Sequence, residues 1–323
     1  MFALLALLVN LIVSYSKNLK LLFTNETRVL LRVSRGDLST MVPVATKDEF
    51  GFIAGHTNHM IEGLRHRMKL VTSLKLAEEV QQRLLPQDAP RLSGLDVAGT
   101  SVYCDETGGD YYDYFILPGN RLVTVVADAS DHGVGAALDM TSARAFLKYG
   151  IEQQSAPTEL LTQVNRFLTQ DSADTGRFTT LFFLEVDMDR RRLQWIRAGQ
   201  DPALVYDPLR DRFEELDGRG VALGVDENMR YEANFREGWN PGTVVLVATD
   251  GLHETRNPQD ELFGLERVRE VIREQAGEPA PKILAALVAA GESFRGAAPQ
   301  EDDLTLVIIK LEAPVSPSSP RTP

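Results

Sequence analysis

Four aspartates stand at the ends of apolar runs that are long enough to form strands: Asp110, Asp128, Asp250 and Asp302. A carboxylate at the end of a buried strand is costly to desolvate unless a positive charge pairs with it. No lysine or arginine stands beside any of the four in the sequence. A divalent cation would supply the missing charge, and a carboxylate set with almost no imidazole or thiolate favours a hard ion such as Mg²⁺ or Mn²⁺.

Glycines stand next to or near these acids, as in Gly109-Asp110 and Asp250-Gly251. Because glycine lets the backbone approach closely, a main-chain carbonyl can join the carboxylates as a ligand. Each motif taken alone is a common turn, loop or strand cap. Their shared position at strand ends is what predicts one acidic metal site.

The composition excludes several other kinds of site. The 323 residues include 34 Lys and Arg against 46 Asp and Glu, a net charge of −12 that gives no electrostatic basis for nucleic-acid binding. The single cysteine, Cys104, excludes an intramolecular disulfide and thiolate-rich metal sites. We interpret it as a packed residue rather than a nucleophile, because no Cys-x5-Arg loop follows it. His56 and His59 share a helix face, and we interpret them as surface or seam residues.

Beyond residue 94, short β-branched and aromatic runs alternate with turns and with four helical stretches. The predicted strands are 95–103, 111–117, 121–127, 178–187, 193–198, 243–248 and 304–311, and the predicted helices are 134–149, 158–170, 265–275 and 281–294. Tight turns at 118–120 and 189–191 join neighbouring runs as antiparallel hairpins do. The expected fold class is α+β, with two mostly antiparallel sheets packed together and the helices outside.

The amino-terminal segment has membrane character. Residues 1–13 are almost wholly apolar but fall short of the ~20 residues that a membrane-spanning helix needs. Tyr15 and Lys17 then follow, as at the cytoplasmic end of a membrane helix. The segment lacks the leading positive charge and the cleavage site of a secretory signal. We interpret residues 1–16 as a partial transmembrane helix; the alternative is a short buried or interfacial amphipathic helix.

Residues 18–68 predict two helices around an extended connector, because Gly36 and Pro43 interrupt stretches with helical spacing. The second helix carries a heptad stripe made of Ile53, Met60, Leu64, Val71 and Leu74. Such a stripe is typical of a coiled coil.

Residues 17–69 resemble a HAMP domain, a signal-relay module found just inside bacterial membranes. The segments that carry the resemblance are Gly36-Asp37-Leu38, Val42-Pro43-Val44, Asp48-Glu49-Phe50-Gly51 and Asn58-x-Met60. The resemblance implies a parallel homodimer whose helices pass a rotation or register change to a coiled-coil linker, residues 70–93.

A second set of motifs follows in a fixed order along the chain. They are Gly108-Gly109-Asp110-Tyr111-Tyr112-Asp113, Asp128-x-Ser130-x-His132-Gly133, Arg177-Phe178-x-Thr180, Ala198-Gly199, Thr249-Asp250-Gly251-x-x-Glu254 and Asp302-Asp303-Leu304-Thr305. Together they resemble the metal-dependent protein phosphatase 2C-like (PPM) family of serine/threonine phosphatases, in its bacterial sporulation and sigma-factor-control branch. The resemblance spans about residues 75–311.

This resemblance implies an α/β/β/α sandwich over residues 94–312 with two Mn²⁺ or Mg²⁺ ions between the sheets. Asp128 would bridge both ions, and Ala129 would offer its carbonyl to one of them. Asp110 would bind one ion directly or through water, while Asp250 and Asp302 would hold the other. Two such ions activate a water for in-line attack on phosphorus and neutralise charge on the phosphoryl oxygens.

The implied function is a HAMP-regulated protein serine/threonine phosphatase, anchored in the bacterial cytoplasmic membrane with its catalytic domain in the cytoplasm. The resemblance suggests a phosphorylated anti-sigma-factor antagonist of the STAS type as its substrate. The alternative is a catalytically weak, phosphatase-like signalling adaptor that binds a partner. No phosphate-binding Gly-x4-Gly-Lys loop or kinase motif set is present. Residues 313–323, rich in Pro and Ser, are expected to be disordered.

Two residues depart from the pattern of the phosphatase family. Asp131 stands where glycine is usual, as either a carboxylate near the metal waters or a solvated loop acid. Gln200 replaces a frequent histidine. His132 is either a general acid or a residue that shapes its loop. Glu106 and Asp113 are further candidate acids around the site.

Overall fold

A computed structural model describes residues 2–131 and 133–312 of the chain. The chain divides into two compact units, residues 1–76 and 77–323. The tail that the sequence predicts to be disordered, 313–323, lies outside the described residues, as does His132.

The first unit is a pair of helices joined by a connector. Helix α1 spans Phe2–Val33 and helix α2 spans Glu49–Gln82, so that α2 extends beyond the first unit. The two helices and the connector share a small apolar core of Val29, Val42, Ala54 and Ile61. Asn58 fastens the connector, because its side-chain amide accepts from the Val42 N–H at 2.7 Å and donates to the Val42 carbonyl at 2.9 Å.

Helix α1 is longer than the apolar stretch at its start. Its 32 residues include an 18-residue window of mean hydropathy 1.6, and none of that window is buried. This helix is therefore long and apolar enough to cross a membrane. Helix α2 ends at Gln82, so residues 83–93 of the predicted linker are turns and extended chain. Pro86 explains this end, because a proline has no N–H to bond to the carbonyl four residues earlier, that of Gln82, and its ring clashes with that carbonyl.

The second unit contains ten strands and four helices among its described residues. The strands are β1 (Leu95–Val102), β2 (Asp110–Leu117), β3 (Arg121–Ala129), β4 (Thr179–Asp187), β5 (Arg192–Ala198), β6 (Ala203–Asp207), β7 (Arg212–Leu216), β8 (Asn234–Glu237), β9 (Thr243–Ala248) and β10 (Leu304–Leu311). The helices are α3 (Val134–Glu152), α4 (Pro157–Asp171), α5 (Gly264–Gln275) and α6 (Ala280–Arg295).

The strands form two five-stranded sheets. Sheet A has the order β1-β10-β9-β6-β7 and sheet B the order β2-β3-β4-β5-β8. The strand pairs within both sheets are antiparallel. The expected α+β class with two packed antiparallel sheets is confirmed.

Side-chain alternation along the strands builds the layers of this unit. Val245 and Val307 of sheet A belong to a core that includes sheet B, whereas Leu246 and Ile308 belong to a core that includes α5 and α6. Successive residues of a strand point to opposite faces, so sheet A is covered on both sides. Helices α3 and α4 contribute to the core of sheet B. The result is an α/β/β/α sandwich.

The seven predicted strands and four predicted helices are all present, with small shifts at their ends. The sequence prediction missed β6, β7 and β8. These strands have four or five residues each, and β7 and β8 are edge strands with charged, partly exposed side chains. Pairing decides the structure of these strands: β6 pairs with β7 and β9, and β8 pairs with β5. A run of four or five residues does not reveal such pairing.

Candidate active site

Asp110 and Asp128 face each other across the first hairpin of sheet B. Asp110 begins β2, Asp128 lies next to the end of β3, and the strand register pairs these two residues. Asp110 is buried, with 1% of its surface exposed, and Asp128 is half-buried. The hairpin thus places two carboxylates at one end of sheet B.

Asp250 and Asp302 lie at the corresponding end of sheet A. Asp250 follows β9 by two residues and Asp302 precedes β10 by two, and β9 and β10 are antiparallel neighbours. Asp250 is half-buried and Asp302 is exposed. Asp128 is close enough to both for their charges to shift its pKa. The two sheets therefore bring all four predicted aspartates near one another between the sheet ends. This region is called the cleft below, with the buried Asp110 at its base and the exposed Asp302 at its mouth.

Thr249 connects the two sheets at this cleft. Its hydroxyl donates to Oδ2 of Asp110 at 2.8 Å and accepts from the Thr305 N–H at 3.0 Å. One end of sheet A is thereby hydrogen-bonded to the most buried carboxylate of sheet B. Thr249 thus holds the carboxylate of Asp110 in place by a hydrogen bond.

Asp303 anchors the loop that leads into Asp110. Its Oδ1 accepts from the Cys104 N–H at 2.8 Å, and its Oδ2 accepts from the N–H groups of Gly109 at 2.8 Å and Asp110 at 3.3 Å. Asp303 is 3% exposed. Because both its oxygens already accept from the backbone, this carboxylate fixes the loop, while its neighbour Asp302 stays available at the mouth of the cleft.

The carbonyl of Ala129 lies close to the backbone of Gly109. A Cβ on Gly109 would stand 2.7 Å from the carbonyl oxygen of Ala129, so a larger residue there would displace one of the two segments. Gly109 also accepts a hydrogen bond from the Ala129 N–H at 3.2 Å. The predicted carbonyl ligand therefore lies in close contact with the loop that carries Asp110.

The electrostatics of the site are dominated by crowded negative charge. Burial, and then the charge of Asp128, raise the pKa of Asp110 well above its usual range. Burial, and then the charges of Asp250 and Asp302, raise the pKa of Asp128 to about 8. Burial, then Glu254 and Asp201, raise the pKa of Asp250. A cation would relieve this repulsion.

The donor set fits a divalent cation. Oδ1 of Asp250 is buried and has no hydrogen-bond partner, so it is left free to bind an ion. The remaining donors are carboxylate oxygens and one carbonyl, which hard cations prefer. Across residues 2–131 and 133–312, however, no three acidic, histidine or cysteine side chains already converge in ligand geometry. The carboxylates lie around the cleft, but no three of the described side chains are close enough together to coordinate one ion.

Other candidate residues have different roles. Asp113 accepts a hydrogen bond from the Tyr111 hydroxyl at 2.8 Å, and its Oδ2 lies 3.6 Å from Nε of Arg144. This ion pair connects β2 with α3. Glu106 and Asp131 are exposed. Asp131 has φ 69°, a conformation that favours glycine and that aspartate tolerates, which agrees with the interpretation as a solvated loop acid.

Cys104 does not act as a nucleophile in this arrangement. Burial, and then the charge of Asp303, raise the pKa of its thiol to about 12. A thiol with such a pKa stays protonated at neutral pH, and the thiolate is the nucleophilic form. The interpretation of Cys104 as a packed residue agrees with this.

Sequence reasoning gave no role at the site to several residues that hold it. Thr249 and Asp303 stand directly beside predicted ligands within the ordered motifs, and this position is the signal that they gave. Gln81, near the end of α2, is buried and pairs twice with Gly108: its Nε2 donates to the carbonyl at 2.6 Å and its Oε1 accepts from the N–H at 3.2 Å. No local pattern reveals a contact between residues 27 positions apart.

The raised pKa values predict that the metal-free protein becomes less stable as the pH rises. Because the pKa of Asp128 rises from 3.8 to about 8, the folded state holds protons that the unfolded chain releases. The free energy of unfolding therefore falls as the pH rises from about 4 to about 8. Denaturant unfolding in chelator should show this slope, and Asp128→Asn should make it shallower. Equal slopes in the two proteins would contradict the prediction.

Comparison with known proteins decides the family. Residues 118–312, more than half of the chain, match the family described as Stage II sporulation protein E (SpoIIE). The chain belongs to the SpoIIE family. Phosphoserine phosphatase RsbU of Bacillus subtilis is 25% identical to this chain over 239 residues, and the match covers 70% of each of the two proteins. Phosphoserine phosphatase RsbP of the same species is 25% identical over 184 residues, 55% of this chain and 44% of RsbP.

A solved structure agrees with this assignment. The SiaA-PP2C domain of Pseudomonas aeruginosa superimposes with a TM-score of 0.68 at 25% identity, covering 76% of this chain and 99% of that domain. The chain thus carries a PP2C-like phosphatase domain of the SpoIIE family, and the expectation from the ordered motifs is confirmed. The matched SpoIIE region begins after Asp110, which the structure nevertheless places opposite Asp128.

Proposed function

We propose that this protein is a metal-dependent protein serine/threonine phosphatase that hydrolyses phosphoserine or phosphothreonine on a partner protein. One observation carries the proposal: Asp110, Asp128, Asp250 and Asp302 come from two sheets to one cleft, where the strongest charge effects on the pKa of Asp128 come from other carboxylates. Such a concentration of negative charge is stable when a cation binds there.

Two divalent ions, Mg²⁺ or Mn²⁺, fit these residues. We assign Asp128 to both ions, the Ala129 carbonyl and Asp110 to one, and Asp250 and Asp302 to the other. When bound, such ions supply an activated water and neutralise charge on the phosphoryl group. The protein's own part is to hold the carboxylates in place, as Thr249 does when its hydroxyl donates to Asp110. Asp110 and Asp128 must release their protons for the ions to bind, because ligands bind in the ionised form.

The proposed substrate is a phosphorylated protein. RsbU and RsbP are named phosphoserine phosphatases, which supports a phosphoserine substrate for this relative. A phosphorylated anti-sigma-factor antagonist of the STAS type is the specific substrate that we propose. Its phosphoserine would enter at the exposed mouth of the cleft, beside Asp302.

A second candidate function is a phosphatase-like adaptor that binds a partner without turnover. One observation favours it: among the described residues, the acidic side chains do not already converge in ligand geometry. The two functions differ in whether phosphate is released.

The experiment that separates them is phosphate release by the full-length protein from a phosphoserine peptide, with Mn²⁺, with Mg²⁺ and with chelator. The phosphatase proposal expects turnover that needs a divalent ion and stops in chelator. Binding of Mn²⁺ or of a phosphorylated partner without any turnover would favour the adaptor. Turnover that is equal in chelator would contradict the metal assignment.

We further propose that residues 17–69 form a HAMP domain and that residues 1–16, as part of a transmembrane helix, tether the phosphatase to the bacterial cytoplasmic membrane, with the catalytic domain in the cytoplasm. Helix α1 is long and apolar enough to span a membrane. The two helices flank a connector, as the HAMP resemblance implies, and Asn58 and Arg65 both bind connector carbonyls. Helix α2 would pass the signal towards Gln81 and the Gly108 loop beside Asp110.

The proposed homodimer rests on a second apolar face of α2. Ile61 packs on α1 and the connector, whereas Ile53, Met60 and Val71 of the heptad stripe are 50%, 47% and 45% exposed. A coiled-coil partner would cover these side chains.

Met60→Glu should therefore convert the full-length protein in detergent from a dimer to a monomer. His66→Glu, which lies off the stripe, should leave it a dimer. Analytical ultracentrifugation measures both outcomes. A monomeric wild type would overturn the dimer.

A further inference from the structure

The Gln200 side chain lies buried between strands of the two sheets, and the proposed chemistry does not use it. It follows β5 by two residues and is 3% exposed. Its Nε2 donates to the carbonyl of Ala248 at 3.1 Å, and its Oε1 accepts from the hydroxyl of Thr180. One amide thus joins β9 of sheet A to β4 of sheet B.

Both partners of this amide stand beside proposed metal ligands. Thr180 is the register partner of Asp128 on the neighbouring strand, and its hydroxyl lies 3.5 Å from the Asp128 carbonyl. Ala248 ends β9, two residues before Asp250. The amide therefore connects the strand next to Asp128 with the strand that leads to Asp250.

The backbone that carries Gln200 is itself fixed. Arg197 donates from Nε to the Gln200 carbonyl and from Nη1 to the Gly218 carbonyl at 3.2 Å. Gly199 has φ 76°, and its N–H donates to the Gly220 carbonyl at 3.0 Å. Because the backbone is held in this way, the side-chain amide acts as a spacer of fixed position between the sheets.

We infer that Gln200 is a positioning residue that sets the spacing between Asp128 and Asp250 and thereby the affinity for the divalent ions. This inference rests on the proposed function. A neutral amide suits the position because it satisfies one acceptor and one donor at once. A hydrocarbon would remove the donor to the Ala248 carbonyl and leave the Thr180 hydroxyl only its 3.5 Å contact with the Asp128 carbonyl. A carboxylate would add negative charge near acids that already repel one another.

The test compares Gln200→Met with a matched buried amide elsewhere. Asn165 is 0% exposed, donates to the Asp226 carbonyl at 2.8 Å and accepts from the Gly224 N–H at 2.9 Å. Both Gln200→Met and Asn165→Leu remove a buried amide that pairs in two directions, so both should lower the Tm of the metal-free protein. Titration calorimetry with Mn²⁺ should show about a 10-fold weaker Kd for Gln200→Met alone.

Catalysis gives a second readout. The lower activity of Gln200→Met on a phosphoserine peptide should recover at saturating Mn²⁺, with little change in KM for the peptide. Thr180→Val should weaken the Mn²⁺ affinity as well, and the double variant should lose less than the two single losses combined, because both act through one hydrogen bond. If Gln200→Met does not fold, Thr180→Val decides the outcome by the same titration.

The outcomes separate the inference from the function on which it rests. Wild-type Mn²⁺ affinity in a folded Gln200→Met protein, with a Tm lowered as in Asn165→Leu, would show a merely structural amide and overturn the inference alone. A wild-type protein that neither binds Mn²⁺ nor releases phosphate would overturn the proposed function, and the inference with it.

Discussion

Asp250→Asn should abolish metal-dependent phosphate release while the fold persists. The substitution keeps the shape of the side chain but removes a charge that the proposed ions need, and loss of one such ligand costs about 4 kcal/mol of transition-state stabilisation, or roughly a thousandfold in rate. Oδ1 of Asp250 has no hydrogen-bond partner to lose, and Glu254 and Asp201 repel its charge. The metal-free variant should therefore unfold at a temperature equal to or above that of the wild type.

The control removes one negative charge elsewhere. Asp189 is exposed in the turn between β4 and β5, so Asp189→Asn should keep wild-type activity and Mn²⁺ affinity. Calorimetry on Asp250→Asn should show at least one Mn²⁺ site lost. Wild-type turnover by a folded Asp250→Asn protein would remove Asp250 from the metal site and contradict the assignment.

Asp303→Ala should have the largest effect on stability. It leaves the N–H groups of Cys104, Gly109 and Asp110 without their acceptor in a buried loop. Hydrogen bonds to a charged group contribute ~1.5–3 kcal/mol each, so the loss of three of them should lower the free energy of unfolding by at least about 4.5 kcal/mol. Activity should fall as well, because the loop that positions Asp110 loses its anchor. Urea unfolding and phosphate release measure the two effects.

The adjacent Asp302 provides the matched variant. Its side chain is exposed, and its Oδ1 accepts from the N–H of Asp303 at 2.8 Å. Asp302→Ala should therefore lose activity but less than about 1 kcal/mol of stability. Equal stability losses for the two variants would contradict the separate roles of an anchor and a ligand.

The sequence was sufficient to predict the fold class and to propose the four aspartates, because both inferences use local patterns. Apolar runs with short turns predict the strands, and an acid at the end of such a run is visible without any partner. The hairpin turn at 118–120 predicts that β2 and β3 pair, which brings Asp110 opposite Asp128.

The residues that support the aspartates could not be predicted in the same way. Asp303 binds the N–H of Cys104, 199 positions earlier, and Gln200 joins β4 to β9 across two sheets. Such contacts depend on how the sheets pack, which no local pattern encodes. Short strands such as β8 were missed for the same reason, since pairing with β5 defines them.

The most direct test of the proposed acidic metal centre is anomalous diffraction from crystals of the protein grown with Mn²⁺. Two manganese peaks are expected in the cleft between the sheets, both in contact with Asp128. One should also contact Asp110 and the Ala129 carbonyl, and the other Asp250 and Asp302. Manganese bound elsewhere, or none in the cleft of a protein that releases phosphate, would contradict the account.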